Sequence, residues 1–268
     1  MLKEKNIWVK MNCMVADNPR PDYEVINLCK LNPLYTEDNY FFVNEHEFAD
    51  KSINNVFIYN EDNGIKCLLI LGDNGSGKSH LIQKTIDKVE YHQYPPKIIY
   101  VTCEQFFNQY LNTLKNNSLI DFRNTFRSTD ILIIEDIEFL LKKRKFQEEL
   151  LNTVKDLHSN GAKIIFTSSL PLDKILLRKD LLSVLDSFCI IDIQPFSEEA
   201  KLDIFNKMFE NSGTDIDEEA FAFIADQVKN YNVSKLKSII NKIKTYSSLM
   251  KEDISLSTVQ KLIKAYNL

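Results

Sequence analysis

The segment that most constrains this chain is a glycine-rich loop between a strand-like run and a helix-like run. The loop reads Gly72-Asp-Asn-Gly-Ser-Gly-Lys-Ser79 and fits the pattern G-x-x-x-x-G-K-[ST] at every fixed position. The apolar run 67–71 precedes it, and the helix-compatible run 80–86 follows it. This order of strand, loop and helix predicts a P-loop, in which backbone N–H groups and the positive end of a helix dipole surround phosphate oxygens.

The residues of this loop have separate expected roles in binding a nucleoside triphosphate. Lys78 is expected to reach the β- and γ-phosphates, and the Ser79 hydroxyl is expected to bind Mg²⁺. The remaining positions are expected to present backbone amides to the phosphates. We therefore predict ATP or ADP with Mg²⁺ as the ligand, held in the loop by Gly72, Asn74, Gly75, Ser76, Gly77, Lys78 and Ser79.

The composition places the chain among soluble globular proteins. Hydrophobic residues make up 44% and charged residues 26% of it, which are ordinary values for that class. No run approaches the roughly 18–20 apolar residues of a membrane span, and we expect neither a membrane partner nor a secretory signal. The five cysteines form no C-x-x-C pair, which favours buried free thiols and a cytoplasmic location. Because the formal net charge is −5, contact with nucleic acid would need a local basic patch.

Strand-like and helix-like runs alternate through the middle of the chain. The strand-like runs are apolar throughout, as strands buried on both faces of a parallel sheet are, and they cover 67–71, 97–102, 131–135, 163–167 and 189–193. Helical periodicity separates them at 78–90, 103–127, 144–160 and 174–186. This alternation predicts an α/β three-layer sandwich around a five-stranded parallel sheet.

The pattern changes after Pro195, where only helical periodicity remains. It covers 197–211, 217–229, 232–244 and 255–265. We therefore predict a poorly ordered leader over 1–30, an α/β nucleotide-binding domain over 31–195, and a small all-helical lid domain over 196–268.

Two carboxylates end the third predicted strand. The run Ile131-Leu-Ile-Ile leads into Glu135 and Asp136, about 55 residues after the glycine loop. One carboxylate beside the phosphates can hold Mg²⁺ with Ser79, and a second can polarise the attacking water. The usual order is Asp then Glu, so Glu135 is one methylene too long and Asp136 one too short. Since phosphoryl transfer depends on placement to within about an ångström, we expect these two catalytic and metal-binding candidates to support slow ATP hydrolysis or none.

Several motifs together resemble the AAA+ ATPase module of the bacterial replication initiator DnaA. They occur in order and at similar spacings, and they read Leu31-Asn-Pro-Leu-Tyr-Thr36, Gly77-Lys-Ser-His80, Asp121-Phe-Arg-Asn-Thr-Phe-Arg-Ser-Thr-Asp130, Phe146-Gln-Glu-Glu-Leu150, Ile164-Ile-Phe-Thr-Ser168 and Asn232-Val233. The resemblance runs from about Leu31 to Leu268 and implies an AAA+ sandwich with a helical lid. It also implies that the nucleotide site includes Pro33 and Tyr35, which would border the base, and His80.

The same resemblance implies a particular place within the family. The sequence ends where the initiator would continue into a helix-turn-helix domain, so we expect no reading of double-stranded origin sites. In this respect the chain is similar to short initiator paralogues such as the regulatory inactivator Hda. We therefore expect a regulator or accessory of replication initiation.

Three positions depart from the family pattern. The resemblance would place an arginine finger at Val184, an aspartate of the first sensor at Ser169, and a nucleotide-sensing arginine at Ser234. An arginine finger is worth ~10³–10⁵ in rate, which Val184 cannot supply; Arg178 and Lys179 lie a few residues upstream as substitutes. These departures also favour slow hydrolysis, and a catalytically inactive structural adaptor remains an alternative.

The basic run Lys142-Lys-Arg-Lys145 is a candidate contact for nucleic acid. In the initiator family this region and the helical insert before it line a channel for single-stranded DNA, which makes Leu111, Lys143 and Lys145 candidate contacts. A solvated helix start explains the four cations equally well, and the nearby Phe106, Phe107 and Tyr110 have the helical spacing of core residues.

We expect the replication initiator or other replication proteins as partners, with homo- or hetero-oligomers forming through the AAA+ faces. A single-stranded-DNA-binding or helicase-loading adaptor is the alternative function.

Overall fold

The computed structural model describes residues 26–27, 31–33, 35–37, 40, 43–57, 64–89, 96–141, 143–210, 216–227, 231–251 and 253–266. The chain divides into two units. The first contains Met1–Tyr40, Ala49–Leu71 and Ser79–Ile191, and the second contains Phe41–Phe48, Gly72–Lys78 and Asp192–Leu268. The predicted leader lies outside the described residues except for a two-residue strand.

A single sheet organises the first unit. Its strands among the described residues are β1 (Ile26–Asn27), β2 (Cys67–Leu71), β3 (Ile98–Thr102), β4 (Ile131–Glu135), β5 (Lys163–Ser168) and β6 (Cys189–Asp192). The strand order is β1-β3-β4-β5-β2-β6, and the pairings from β1 through β2 are parallel. The five predicted strands are confirmed, and β1 adds a short strand beside β3. Every residue of β4 is buried, so both faces of the sheet are covered, as in a three-layer sandwich.

Six helices connect the strands among the described residues. They are α1 (Glu47–Phe57), α2 (Lys78–Val89), α3 (Cys103–Lys115), α4 (Leu119–Arg127), α5 (Arg144–Ser159) and α6 (Lys179–Leu185). The helical run predicted over 103–127 forms two helices, because Asn117 takes a left-handed backbone with φ 54° and separates α3 from α4. Asparagine adopts that conformation more readily than most residues. The helix predicted over 174–186 begins only at Lys179, since Ile175 and Arg178 are extended.

An aromatic cluster holds α3, α4 and α5 together on one face of the sheet. Phe106 contacts Phe122, Phe126 and Phe146 at centroid distances of 5.1, 4.6 and 5.3 Å. Phe106 is fully buried, and Phe107 and Tyr110 pack against the same core. The assignment of these three aromatic residues to the core is therefore confirmed.

The second unit contains four further helices within its described part: α7 (Glu198–Glu210), α8 (Glu218–Gln227), α9 (Val233–Met250) and α10 (Leu256–Tyr266). Their apolar faces form one core that includes Phe205, Ile224, Leu236, Ile240 and Leu262. Helix α9 runs past its predicted end at residue 244 and stops where Lys251 becomes left-handed with φ 55°. No helix in the described part of the chain has the length and apolar character needed to cross a membrane.

Three cysteines lie in the described residues as free thiols. Cys103 is buried, whereas Cys67 and Cys189 are half-buried. Burial raises the pKa of the Cys67 thiol to about 11, so little reactive thiolate is present at neutral pH. Cys13 and Cys29 lie outside the described residues.

Candidate nucleotide-binding site

The glycine loop begins where β2 ends. In the sheet β5 lies between β2 and β4, and because these strands are parallel their carboxyl ends share one edge. Leu71 at the end of β2 pairs with Ser168 at the end of β5, and Glu135 ends β4 at the same edge. Open α/β sheets bind ligands at this edge of their parallel strands.

The backbone of the loop requires glycine at two positions. Gly75 has φ 85° and Gly77 has φ 95°, which is the left-handed region that side chains disfavour. A Cβ atom on Gly75 would lie 3.0 Å from Ser234 Oγ and 3.2 Å from Asn232 Cγ, and one on Gly77 would lie 3.2 Å from His46 Cε1. The second unit therefore leaves no room for a side chain at either glycine.

Lys78 folds over the loop in which it lies. Its Nζ donates to the carbonyl oxygen of Gly72 at 2.5 Å and to that of Asp73 at 3.0 Å, and Lys78 is only 7% exposed. The Ser76 hydroxyl is buried and has no hydrogen-bond partner among the described residues. Buried polar groups are almost always hydrogen-bonded, so a loop that carries a buried ammonium group and an unsatisfied hydroxyl fits the oxygens of a polyphosphate. Ser79 follows in the first turn of α2 and is half-buried.

Asn232 connects this loop to α9 within the second unit. Its Oδ1 accepts from the backbone N–H of Lys235 at 2.8 Å and so caps α9, while its Nδ2 donates to the carbonyl oxygen of Asn74 at 3.1 Å. One amide therefore stabilises both the helix start and the loop. Ser234, where the resemblance would place an arginine, is exposed in the first turn of α9.

The two functions of the Asn232 amide can be separated by substitution. Asn232→Asp keeps an oxygen that caps α9, but it loses the donor to Asn74 and adds negative charge beside the loop. We expect thermal unfolding close to that of the wild type and a nucleotide affinity lower by roughly tenfold, because a lost hydrogen bond contributes about 1 kcal/mol or more. Calorimetric titration with ATP measures this. Asn232→Ser is the neutral control, because serine also caps the helix without adding charge. Equal nucleotide affinity in the wild type, Asn232→Asp and Asn232→Ser would contradict a role for the hydrogen bond to Asn74.

The two carboxylates at the end of β4 have different surroundings. Glu135 is 6% exposed, whereas Asp136 is exposed and takes a left-handed backbone with φ 60° and ψ 53°. The Asp136 N–H donates to Thr167 Oγ1 at 3.1 Å. Left-handed residues other than glycine are strained and collect at functional sites. Asp136 is thus the solvent-accessible carboxylate of the pair.

A chain of hydrogen bonds through buried side chains leads to Glu135. Its Oε2 accepts from the Tyr100 hydroxyl, that oxygen accepts from Gln83 Nε2, and Gln83 Oε1 accepts from the backbone N–H of Asn32. Tyr100 and Gln83 are not among the site residues predicted from the sequence. The available signal was a tyrosine within the apolar run of β3 and a glutamine directly after the apolar residues Leu81 and Ile82 of α2, since buried polar side chains need partners.

The segment before α1 packs on the start of α2. Tyr35 stacks on the His80 ring at a centroid distance of 4.7 Å and an angle of 15°, and Tyr40 meets the same ring edge-on at 5.1 Å. His80 Nε2 lies 3.2 Å from the carbonyl oxygen of Thr36. Pro33 is exposed in a turn closed by the hydrogen bond from Tyr35 N to Asn32 O at 2.9 Å. The structure therefore brings the predicted residues Pro33, Tyr35 and His80 into one neighbourhood.

An apolar contact occupies the position at which the resemblance would place an arginine finger. Val184 packs against the core of the first unit. Arg178 upstream donates to Asp180 at 2.7 Å and to Glu148 at 3.0 Å, so its charge is shared by two carboxylates. Lys179 is exposed at the start of α6.

Ser169, where the resemblance would place the aspartate of the first sensor, also forms hydrogen bonds within the first unit. The backbone N–H of Ser169 donates to Glu138 Oε1 at 3.1 Å, and the Ser169 hydroxyl donates to the same oxygen. Both donors of Ser169 are therefore directed at Glu138.

The candidate contacts for single-stranded DNA differ in their surroundings. Lys143 Nζ donates to the carbonyl oxygen of Phe139 at 2.8 Å and lies 3.6 Å from the centre of that ring. Arg144 and Lys145 are exposed at the start of α5, and Leu111 is half-buried on α3. Lys142 lies outside the described residues. Among the residues of the basic run that the structure describes, Arg144 and Lys145 are thus the cations that face solvent.

Comparison with known proteins decides the family. Residues 31–192 match the model of the bacterial DnaA ATPase domain. The chain belongs to this family. The DnaA resemblance drawn from the sequence motifs is therefore confirmed, and the chain contains a DnaA-like AAA+ ATPase domain related to replication initiation.

Solved DnaA structures have the same fold. Domain III of the replication initiation protein DnaA from Thermotoga maritima is similar with a TM-score of 0.79 and 28% identity, over 89% of this chain and 99% of that one. AMPPCP-bound DnaA from Aquifex aeolicus has a TM-score of 0.70 and 23% identity, over 81% of this chain and 66% of that one. A DnaA bound to AMPPCP and single-stranded DNA gives 0.70 and 22% over the same shares. The predicted AAA+ sandwich is confirmed.

Proposed function

We propose that this DnaA-family chain binds ATP or ADP with Mg²⁺ and regulates or assists the initiation of chromosomal DNA replication, with slow hydrolysis or none. The observation that carries the proposal is the glycine loop, where the Lys78 ammonium group and the buried Ser76 hydroxyl fit a polyphosphate. The AMPPCP bound to DnaA from Aquifex aeolicus supports the same ligand class.

The proposed roles of the site residues follow from their chemistry. Lys78 binds the β- and γ-phosphates, and the loop amides bind the remaining phosphate oxygens. Ser79 and one of Glu135 and Asp136 hold Mg²⁺, which when bound neutralises phosphate charge. The other carboxylate orients water, and the exposed Asp136 is better placed for this than the buried Glu135. Pro33, Tyr35 and His80 border the base.

The contacts of the residues at and near the positions that depart from the family pattern support slow hydrolysis. Val184 contributes to the core, both donors of Ser169 are taken up by Glu138, and Arg178 is shared between two carboxylates. The three departing positions, Val184, Ser169 and Ser234, carry no cation for a γ-phosphate, and such a cation is worth ~10³–10⁵ in rate.

The proposed organisation is that of an accessory of the initiator. An α/β domain over 31–195 and a helical lid over 196–268 would bind nucleotide in the cytoplasm. The initiator or another replication protein would be the partner, through AAA+ faces in a homo- or hetero-oligomer.

The test begins with the purified protein. We expect adenine nucleotide to be released on denaturation, or calorimetric heat with ATP or ADP in magnesium buffer, and ATP turnover well below that of the initiator. Adding the chain to the initiator should change the initiator's oligomers or its nucleotide turnover. Binding without any such effect would leave a nucleotide-holding structural adaptor, and the absence of binding would overturn the proposal.

Binding of single-stranded DNA is a second candidate, favoured by the exposed cations Arg144 and Lys145. A related DnaA has been solved with single-stranded DNA. Alanine at both positions should weaken oligonucleotide binding. The number of neutralised phosphate charges, read from the salt dependence of the affinity, should fall by about two. Lys155→Ala, farther along α5 and exposed, should change neither quantity. Binding that is unchanged by the double substitution would exclude this patch.

A further inference from the structure

A chain of hydrogen bonds links the backbone at Asn32 to Glu135. Asn32 lies in the segment proposed to border the base, and Glu135 is a candidate ligand of Mg²⁺. The Tyr100 hydroxyl donates to Glu135 Oε2 at 2.6 Å, Gln83 Nε2 donates to the Tyr100 oxygen at 2.6 Å, and the Asn32 N–H donates to Gln83 Oε1 at 2.8 Å. Tyr100 is 2% exposed, and Gln83 is 6% exposed, as is Glu135. With so little access to water, these side chains are oriented by hydrogen bonds within the protein.

The direction of donation orients each group in this chain of hydrogen bonds. The hydroxyl of Tyr100 has one proton, which goes to Glu135 while its oxygen accepts from Gln83. The Gln83 amide presents its nitrogen to Tyr100 because its oxygen is held by the N–H of Asn32. Displacement of the backbone at Asn32 would therefore free the Gln83 amide to rotate. The hydrogen bond from Gln83 to Tyr100 would change, and with it the one from Tyr100 to the Glu135 carboxylate.

Glu135 needs such support more than the usual aspartate would. Its longer side chain has one more rotatable bond, so its carboxylate can occupy more positions. In the register of β3 with β4, Tyr100 lies opposite Ile133, two residues before Glu135, and its phenol reaches along the strand to the carboxylate. The hydroxyl occupies one of about four lone-pair positions on the two oxygens.

We propose that Tyr100 is a positioning residue for Glu135, and that Gln83 couples this position to the segment around Asn32. The inference rests on the proposed function, since it takes Glu135 as a ligand of nucleotide-bound Mg²⁺. Hydrogen bonds behind a ligating carboxylate orient it, and their loss typically costs roughly 10- to 100-fold in metal affinity. The Mg²⁺ requirement of nucleotide binding is then set partly by residues remote from the nucleotide.

Tyr100→Phe tests the proposal because it removes the hydroxyl and keeps the ring. ATP is titrated calorimetrically into each protein in EDTA and then at increasing Mg²⁺. We expect unchanged affinity in EDTA and a half-saturating Mg²⁺ concentration raised about tenfold or more. Gln83→Met removes the amide donor at similar length and should raise it by a smaller factor. Tyr110→Phe, which loses a hydroxyl on α3 in the same unit, is the matched control and should behave as the wild type.

The outcomes are distinct. If the wild type binds ATP and Tyr100→Phe has the same Mg²⁺ midpoint, the positioning role is overturned while the nucleotide site stands. A lower unfolding temperature with an unchanged Mg²⁺ midpoint overturns it too, because it leaves Tyr100 with a structural role alone. If the wild type binds no nucleotide, the proposed function itself fails. Should Tyr100→Phe not fold, the same comparison with Gln83→Met decides.

Discussion

Lys78→Ala is expected to lower nucleotide affinity by roughly 100-fold or more. The ammonium group is the one charged donor of the glycine loop, and hydrogen bonds to charged groups contribute about 1.5–3 kcal/mol each, where about 1.4 kcal/mol is a factor of ten. The alanine variant also leaves the carbonyl oxygens of Gly72 and Asp73 without the donor they have in the structure. Calorimetric titration with ATP and with ADP in magnesium buffer measures the loss.

The matched control is another lysine of the same helix. Lys88 is 44% exposed and pairs with Glu37 at 2.8 Å, so Lys88→Ala removes the same charge without touching the loop. We expect its affinity to stay within about twofold of the wild type, since exposed ion pairs contribute roughly 0–1 kcal/mol. ATP turnover should vanish in Lys78→Ala if the wild type has any. Equal affinities in the two variants would mean that the loop does not hold phosphate.

Glu149→Gln is expected to destabilise the first unit by about 2–3 kcal/mol at neutral pH. Glu149 is 5% exposed and lies between two arginines of α4: Arg123 donates to its two oxygens at 3.0 and 2.8 Å, and Arg127 donates at 2.7 Å. Breaking a buried pair costs about 3–5 kcal/mol, and the value is lower here because both arginines are partly exposed. Glutamine keeps the shape but leaves two guanidinium groups without their anion.

The pH dependence of this contribution has a definite sign. Burial alone would raise the pKa of Glu149, but the hydrogen bonds and charges of Arg123 and Arg127 outweigh it and hold the pKa below the ordinary 4.5. A carboxyl group whose pKa is depressed by folding stabilises the protein above its ordinary pKa, and this stabilisation is lost as the pH falls through the folded value. The difference between wild type and Glu149→Gln should therefore be full at neutral pH and shrink in strong acid.

Urea unfolding at neutral and acid pH measures both effects. Glu148→Gln is the control, because Glu148 is 60% exposed and pairs with Arg178 at 3.0 Å, and it should change stability by less than about 1 kcal/mol. A difference for Glu149→Gln that grows in acid, or an equal effect at both positions, would contradict the account of α4 and α5.

Local patterns predicted the parts of the fold that depend on contiguous residues. Strands β2 and β4 have the predicted bounds, because a strand buried on both faces is a short apolar run with polar ends. The break at Asn117 was missed, since apolar residues continue at helical spacing on both sides of it and the left-handed residue gives no periodic signal. In the site, the glycine loop and the carboxylates were predicted for the same reason: each is a contiguous motif.

The contacts that join these motifs depend on topology. Tyr100 and Glu135 are 35 residues apart, and they meet only because β3 lies beside β4 in the sheet. Asn232 and Asn74 are separated by 158 residues. Periodicity gives strands and helices but not their order in space, so neither contact was predictable from the sequence pattern.

The backbone at Asp136 limits how this module can evolve. Aspartate and asparagine adopt left-handed backbone several-fold more often than other side chains, and a longer residue there loses about 1–2 kcal/mol. Exchanging Glu135 and Asp136 to restore the common acidic order would place glutamate at φ 60° and leave Tyr100 facing a shorter side chain. Such an exchange would have to reshape the turn and strand β3 as well, so single substitutions do not easily reverse the present order of the two acids.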